Sequence, residues 1–319
     1  MHRPRGLIGN FGPEGWMPFV IRPLGKGFAA EISALDLSRE MSTETWDALY
    51  RAYLDYKVLS IREQSLTARQ FQTFGECFGP VEPHTVAIYR HPELPAITVL
   101  SNRMEMGRPK GIRDAGSHWH SDYSYKQVPA NATLLYALEA PDEGGDTLFA
   151  DLAAAYEALP EDVKRQINGS YARHQYRWNR DQHHPEGRWC LLSEEEREQT
   201  PEVIHPVVRL HPETGVRSIY VFPGITSGVK GIVALPDQES DALLAVLYQH
   251  STHERFQFRY KWREGDVVLW DNRATMHCAT TDILPPDRYR TLWRLNTTGS
   301  SPLPGLAKFV SNAGQASTS

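Results

Sequence analysis

Apolar positions along this chain fall into short blocks, most of them four to nine residues long, bounded by Gly, Pro, Asn or Asp. That is the spacing of strands rather than of long helices. Residues 18–24 and 29–33 read as two short strands around Gly25-Lys-Gly27. Further strands are predicted over 56–61, 95–101, 132–140, 146–150, 256–260, 265–270 and 288–298. Residues 205–210 and 216–222 face each other across His211-Pro-Glu-Thr-Gly215, a hairpin signal. Helical periodicity is rarer. Trp46, Leu49, Tyr50, Tyr53 and Leu54 form one stripe behind a Ser42 or Thr43 cap. A second helix spans 67–75 and ends at Gly75. Two helical segments, 152–159 and 160–167, are separated by Pro160, and 237–248 is amphipathic. Two stretches lack a period. One is the polar loop 102–116. The other is 175–201, with Trp178, His183, His184 and Trp189, which reads as a functional or disordered segment.

Many strands with a few helices between them predict a mainly β fold with helical covers (α+β). Its core would be a double-sheet jelly roll, the double-stranded β-helix. One domain over 18–299 is expected, with 1–17 as a lead-in and 300–319 as a mobile Ser/Gly/Ala/Pro tail. The 319 residues are 40% apolar and 23% charged, enough for a core that needs no disulfide or structural metal. Net charge is −5 with no long basic run, which argues against nucleic acid or an anionic membrane as partner. No apolar run is long enough to span a bilayer, and the first residues lack a signal-peptide apolar region. Three widely spaced cysteines, Cys77, Cys190 and Cys278, fit a reducing compartment. The expectation is a cytoplasmic protein that handles a small molecule, with a homo-oligomer as the prior for its assembly.

The chemistry concentrates at Ser117-His-Trp-His120-Ser-Asp122-Tyr123. In an extended chain i and i+2 share a face, so His120 and Asp122 can aim an imidazole and a carboxylate at one point. Two histidines and one carboxylate make the facial triad of non-haem iron oxygenases. His118 shares that face and is a rival ligand. A third ligand candidate is His277, delivered by the strand ending at Trp270. The strand after it carries Arg290 and Arg294, four residues apart. The adjacent His183 and His184 would point to opposite faces of a strand, and read as solvated.

These pieces, in this order, resemble the TauD/TfdA family of Fe(II)/2-oxoglutarate-dependent dioxygenases. The matching motifs are His120-Ser-Asp122, Gly144-Gly-Asp-Thr147, Trp270-Asp-Asn-Arg-Ala-Thr-Met-His277 and Arg290-Thr-Leu-Trp-Arg294 followed by Gly299. Ile21-Arg-Pro-Leu24 and Phe78-Gly79-Pro80 match as well. The resemblance implies that His120, Asp122 and His277 bind Fe(II), and that O2 and 2-oxoglutarate are co-substrates, with succinate and CO2 as co-products. It implies that Thr147 and Arg290 bind the distal carboxylate of 2-oxoglutarate. Arg288 is the alternative if the preceding loop is aligned differently. Arginine suits that role because its rigid, always-charged fork matches a carboxylate. His84, Tyr123 and Arg294 are implied at the substrate, a small anionic molecule such as a sulfonate, sulfate ester, aryloxy acid or other organic acid. The family's taurine enzyme has a substrate-binding asparagine near the position of Gly116, and its absence here argues against taurine. Cys278 is expected to point away from the metal, and Asp271 and Asn272 to orient neighbouring groups. The alternatives are a tailoring oxygenase for a larger natural product and a non-catalytic iron- or 2-oxoglutarate-binding module.

Overall fold

The computed structural model describes residues 18–84, 87–113, 115–176, 198, 200–223, 227–285 and 287–306. The first elements are β1 (Val20–Leu24), β2 (Ala29–Ser33), α1 (Thr43–Tyr56), β3 (Val58–Ile61), α2 (Ala68–Glu76) and β4 (Thr98–Ser101). The loop after β4 holds the two-residue strands β5 (Met104–Glu105) and β6 (Arg108–Pro109). Then come β7 (Ala130–Glu139), β8 (Thr147–Asp151), α3 (Leu152–Glu157), α4 (Glu161–Ile167), β9 (Tyr171–Tyr176) and β10 (Val203–Pro206). They are followed by β11 (Val208–Leu210), β12 (Arg217–Ile219), β13 (Ser227–Ile232) and α5 (Asp237–Ser251). The chain continues through β14 (Gln257–Tyr260), β15 (Val267–Asp271), β16 (Thr275–Ala279), β17 (Thr291–Thr298) and β18 (Leu303–Pro304).

The near-continuous apolar runs of β7 and β15 are explained by a sheet buried on both faces. That sheet has the order β1-β2-β3-β15-β7-β17-β4. All its pairs are antiparallel except β2 with β3. Alternate residues serve the two faces. Leu134, Tyr136, Val267, Leu269 and Leu295 pack under α1 and α2, against Leu49, Tyr53, Phe71 and Phe74. Their neighbours Leu135, Ala137, Val268, Trp270 and Leu292 pack instead against Phe149, Tyr260 and Trp262 of the small sheet β14-β8-β16 and its flank. The two sheets form the jelly-roll sandwich, which is not a closed barrel. A further core joins α3, α4 and α5 to the β10-β9-β13 and β12-β11-β18 sheets.

Local signals explain the helices. Ser42 Oγ accepts from Thr45 N at the start of α1, and Thr67 with Gln70 forms a reciprocal capping box at α2. Such caps contribute about 1 kcal/mol each. Gly75 lies within α2 rather than ending it. A Cβ there would stand 2.7 Å from Leu295 Cδ1, so the glycine serves close helix-to-sheet approach. The strand expected at 265–270 and the run to His277 are two strands, β15 and β16, joined by a tight turn at 272–274. β9 and β13, unpredicted, pair with each other. The C-terminal stretch expected to be mobile contributes β18, which pairs with β11. Residues 1–17, 307–319 and most of 175–201, with His183, His184, Trp178 and Trp189, lie outside the described residues.

Candidate metal and 2-oxoglutarate site

Three buried donors converge between the two sheets. One donor atom from each of His120, Asp122 and His277 lies within 4.8 Å of the other two, the one such group among the described residues. His120 Nε2 is 3.7 Å from Asp122 Oδ1, and His277 Nε2 is 3.8 Å from Asp122 Oδ2. The delivery differs from the extended H-x-D strand expected. His120 and His277 form a single antiparallel bridge, each backbone N–H bonded to the other's carbonyl at 3.0 and 2.9 Å. After Ser121 the chain turns, with Tyr123 at φ +56°. β7 begins only at Ala130. His120 and Asp122 thus come together through a bridge and a turn rather than on one face of a strand.

His118, the rival ligand, stands outside the group of three donors. Its carbonyl oxygen lies 2.7 Å from His120 Nδ1. Donation from Nδ1 to that carbonyl fixes the tautomer that leaves Nε2 as a lone-pair donor. Gly116 (φ +75°) lies against the His120 ring, where a Cβ would come within 2.7 Å of Cε1. Gly116→Ala is expected to push the imidazole out of place and weaken divalent-metal binding by about tenfold or more. Unchanged metal affinity in a titration of the folded variant would refute that account.

Electrostatics prepare the donors. Burial drives both imidazoles toward the neutral form, His120 to about 3 and His277 to about 4. For Asp122 burial opposes ionisation, but the His277, Arg294 and His120 side chains outweigh it and bring the carboxyl down to about 2. Two neutral imidazoles and one carboxylate, all buried, are a donor set that fits a divalent transition metal. Arg294 Nη1 lies 3.9 Å from Asp122 Oδ1.

A second polar group sits nearby. Thr147 begins β8, and its Oγ1 accepts from Trp262 Nε1 at 3.0 Å. The ring of Trp262 lies 5.6 Å from the Arg290 guanidinium carbon, so one indole ties Thr147 to Arg290. Sequence reasoning missed Trp262. Arg290 is buried whereas Arg288 is exposed. The Nε atoms of Arg290 and Arg294 are buried without a hydrogen-bond partner among the described residues. Burial pulls Arg290 down to about 10 against the opposing charge of Asp146. Gly145 (φ +65°) leaves room for this side chain, since a Cβ would stand 3.0 Å from Arg290 Cδ.

Tyr123 is buried, its hydroxyl without a partner among the described residues, and burial pushes it up to about 12 with Arg294 and Asp122 as electrostatic neighbours. Lys126 Nζ stands 4.1 Å over its ring. His84 is buried. Its chain segment is drawn to the end of β17 by the Val81–Thr297 bridge and the bond from Glu82 N to Asn296 O. Cys278 is half-buried, neighbouring His277 on a strand whose residues alternate in direction. Asp271 is bound by His211 and Arg273, and Asn272 bonds the backbone of Asp122.

Comparison with known proteins gives the class. Residues 21–296 match the family described as taurine catabolism dioxygenase TauD, TfdA family. The chain is 33% identical over 275 residues to the alpha-ketoglutarate-dependent 2,4-dichlorophenoxyacetate dioxygenase of Cupriavidus pinatubonensis, covering 82% of this chain and 92% of that protein. It is 32% identical over 300 residues to an alkylsulfatase of Acinetobacter baylyi, covering 89% and 88%. The crystal structure of a taurine dioxygenase from Burkholderia xenovorans superposes with a TM-score of 0.73 at 31% identity, over 90% of this chain and 93% of that one. The protein is thus an oxidoreductase, an Fe(II)-, 2-oxoglutarate- and O2-dependent dioxygenase on a jelly-roll scaffold. Within that class, the chain belongs to the TauD/TfdA family. No helix among the described residues is long and apolar enough to cross a membrane.

Proposed function

We propose that His120, Asp122 and His277 hold the Fe(II), that Arg290 and Thr147 hold the distal carboxylate of 2-oxoglutarate, and that His84, Tyr123 and Arg294 face an anionic organic substrate. The observation that carries this reading is a pair of arginines whose buried Nε atoms lack partners among the described residues, beside a three-donor cluster. A buried N–H left without an acceptor is costly, and a ligand carboxylate relieves that cost. Fe(II), when bound, supplies O2 activation coupled to decarboxylation of 2-oxoglutarate, with an oxygen atom passing to a C–H bond of the substrate.

The chain's own residues bind and orient. Thr147 Oγ1 already accepts the Trp262 N–H, so its hydroxyl hydrogen is left for a carboxylate. Arg290 offers a rigid fork to the same group. Arg294 sets a positive charge beside the metal-binding carboxylate, and Tyr123 offers a buried hydroxyl that has no partner among the described residues. Anionic substrates are also what the names of the similar proteins point to, 2,4-dichlorophenoxyacetate in one and an alkyl sulfate in another. Cytoplasmic residence and a homo-oligomer belong to the same reading; light scattering tests the second.

The decisive experiment is a 2-oxoglutarate consumption screen with Fe(II) and ascorbate present. Its panel holds sulfonates, sulfate esters, aryloxy acids and larger natural-product intermediates. The expected result is substrate-dependent succinate formation and a product one oxygen heavier, or the fragments released from it. Equal turnover of neutral analogues would defeat the anionic reading. Failure of every substrate to stimulate consumption would place the substrate outside these classes.

A further inference from the structure

We infer that Thr133, a buried residue in the middle of β7, is the positioning residue that orients the Asp122 carboxylate for metal binding. The inference rests on the reading of His120, Asp122 and His277 as the metal site. Thr133 is fully buried on the sandwich face of the large sheet, directly opposite Asn296 of β17 and Trp270 of β15. Its Oγ1 has three polar neighbours: Asp122 Oδ2 at 2.6 Å, Asn272 Nδ2 at 2.8 Å and Asn296 Nδ2 at 2.7 Å.

A threonine hydroxyl has one hydrogen and two lone pairs, so its three bonds can be assigned. The two amide Nδ2 atoms only donate, so the Thr133 hydrogen goes to the remaining neighbour, Asp122 Oδ2. The two lone pairs then take one N–H each from Asn272 and Asn296. The Asn272 amide is oriented independently, because its Oδ1 receives two groups that can only donate. These are the backbone N–H of Asp122 and the indole N–H of Trp270, both at 3.2 Å. Its NH2 must therefore point at Thr133. Every proton in the cluster is thus placed by the chemistry of its neighbours.

The consequence falls on the carboxylate. Oδ2 accepts a short bond from a hydroxyl that two amides polarise. Oδ1 accepts no hydrogen bond among the described residues, and lies toward His120 Nε2 and Arg294 Nη1. The hub therefore fixes Oδ2, and with it the plane of a carboxylate whose two oxygens lie 3.7 Å from His120 Nε2 and 3.8 Å from His277 Nε2. Because Asp122 sits in a turn next to a left-handed Tyr123, no strand ladder fixes its side chain, and the hydroxyl supplies the missing restraint.

The test is titration of the metal-free full chain with Mn(II), a stand-in that avoids oxidation, followed by electron paramagnetic resonance. Thr133→Val keeps shape and β-branching but removes the donor. It should weaken Mn(II) binding about 10- to 100-fold, the usual effect of losing such a partner. Thr133→Ser should restore affinity to within about threefold, since the hydroxyl returns. Asn296→Ala removes an amide but leaves the Thr133 hydrogen on Oδ2, so its affinity should stay near wild type even where its melting temperature falls. If Thr133→Val does not fold, Thr133→Ala takes its place. Wild-type affinity in a folded Val or Ala variant overturns the inference, and so does an equal loss in Asn296→Ala. Asp122→Ala is the control that separates the two readings: if it binds Mn(II) as wild type does, the metal-site reading itself fails.

Discussion

An Asp122→Ala chain is expected to fold, to bind Fe(II) or Mn(II) more than about 100-fold more weakly, and to show no substrate-stimulated 2-oxoglutarate consumption. Loss of a partner that merely orients a ligand typically costs 10–100-fold, so loss of the ligand itself exceeds about 100-fold. Charge adds to the effect. With Asp122 present, the carboxylate balances the Arg294 guanidinium 3.9 Å away, and the imidazoles are neutral. Without it, a divalent cation would enter a buried site that already carries a net positive charge, in surroundings that screen poorly. Circular dichroism separates loss of binding from loss of fold. Wild-type turnover in the folded variant would remove Asp122 from the metal site, and with it the role assigned to Thr133.

Much of this site was legible because its chemistry needs residue types that stand out in sequence. His120, Asp122 and His277 are conspicuous by spacing and context, and the structure does bring them together. What spacing does not distinguish is a strand from a turn. Residues i and i+2 meet on one face of a strand, yet here the pair meets through a single bridge and a left-handed tyrosine. Choosing between Arg288 and Arg290 required an alignment frame in the sequence, whereas burial separates the two in the structure. Thr133 was illegible for a different reason. It sits inside Ala132-Thr-Leu-Leu-Tyr, where a lone threonine reads as an ordinary β-branched strand residue. Its role depends on amides 139 and 163 residues away in sequence.

The fold shows the same division. The apolar blocks that became β3, β7 and β15 were readable because each is buried along nearly its whole length and so carries a mostly apolar run. β13 reads Ser-Gly-Val-Lys-Gly-Ile, and its two glycines and lysine dilute the signal. It forms because it pairs with β9 and lies beneath α5, where Gly231 allows Ser240 Oγ to accept from Ile232 N. Such strands are products of tertiary context, which single-segment patterning does not contain.

Replacing Arg290 with Met is expected to separate co-substrate binding from fold stability. Two charge-assisted bonds to a carboxylate contribute about 1.5–3 kcal/mol each. Their loss should raise the KM for 2-oxoglutarate by about 100-fold or more, with each 1.4 kcal/mol worth about tenfold. Arg290→Lys keeps the charge but not the fork, and should fall between the two. The metal-free, ligand-free protein should respond in the opposite sense. Arg290 is a buried cation whose Nε has no partner among the described residues, so Met removes a desolvation cost while filling similar space. Asp146 keeps Arg259 at 3.0 Å, so the substitution does not orphan it. The ligand-free Met variant should therefore melt no lower than wild type. Wild type loaded with metal should gain stability as 2-oxoglutarate is added, while the Met variant should gain little over the same range. An unchanged KM together with a wild-type thermal response would move the carboxylate site elsewhere. A lowered ligand-free melting temperature would show instead that Arg290 holds the fold through a partner within the chain.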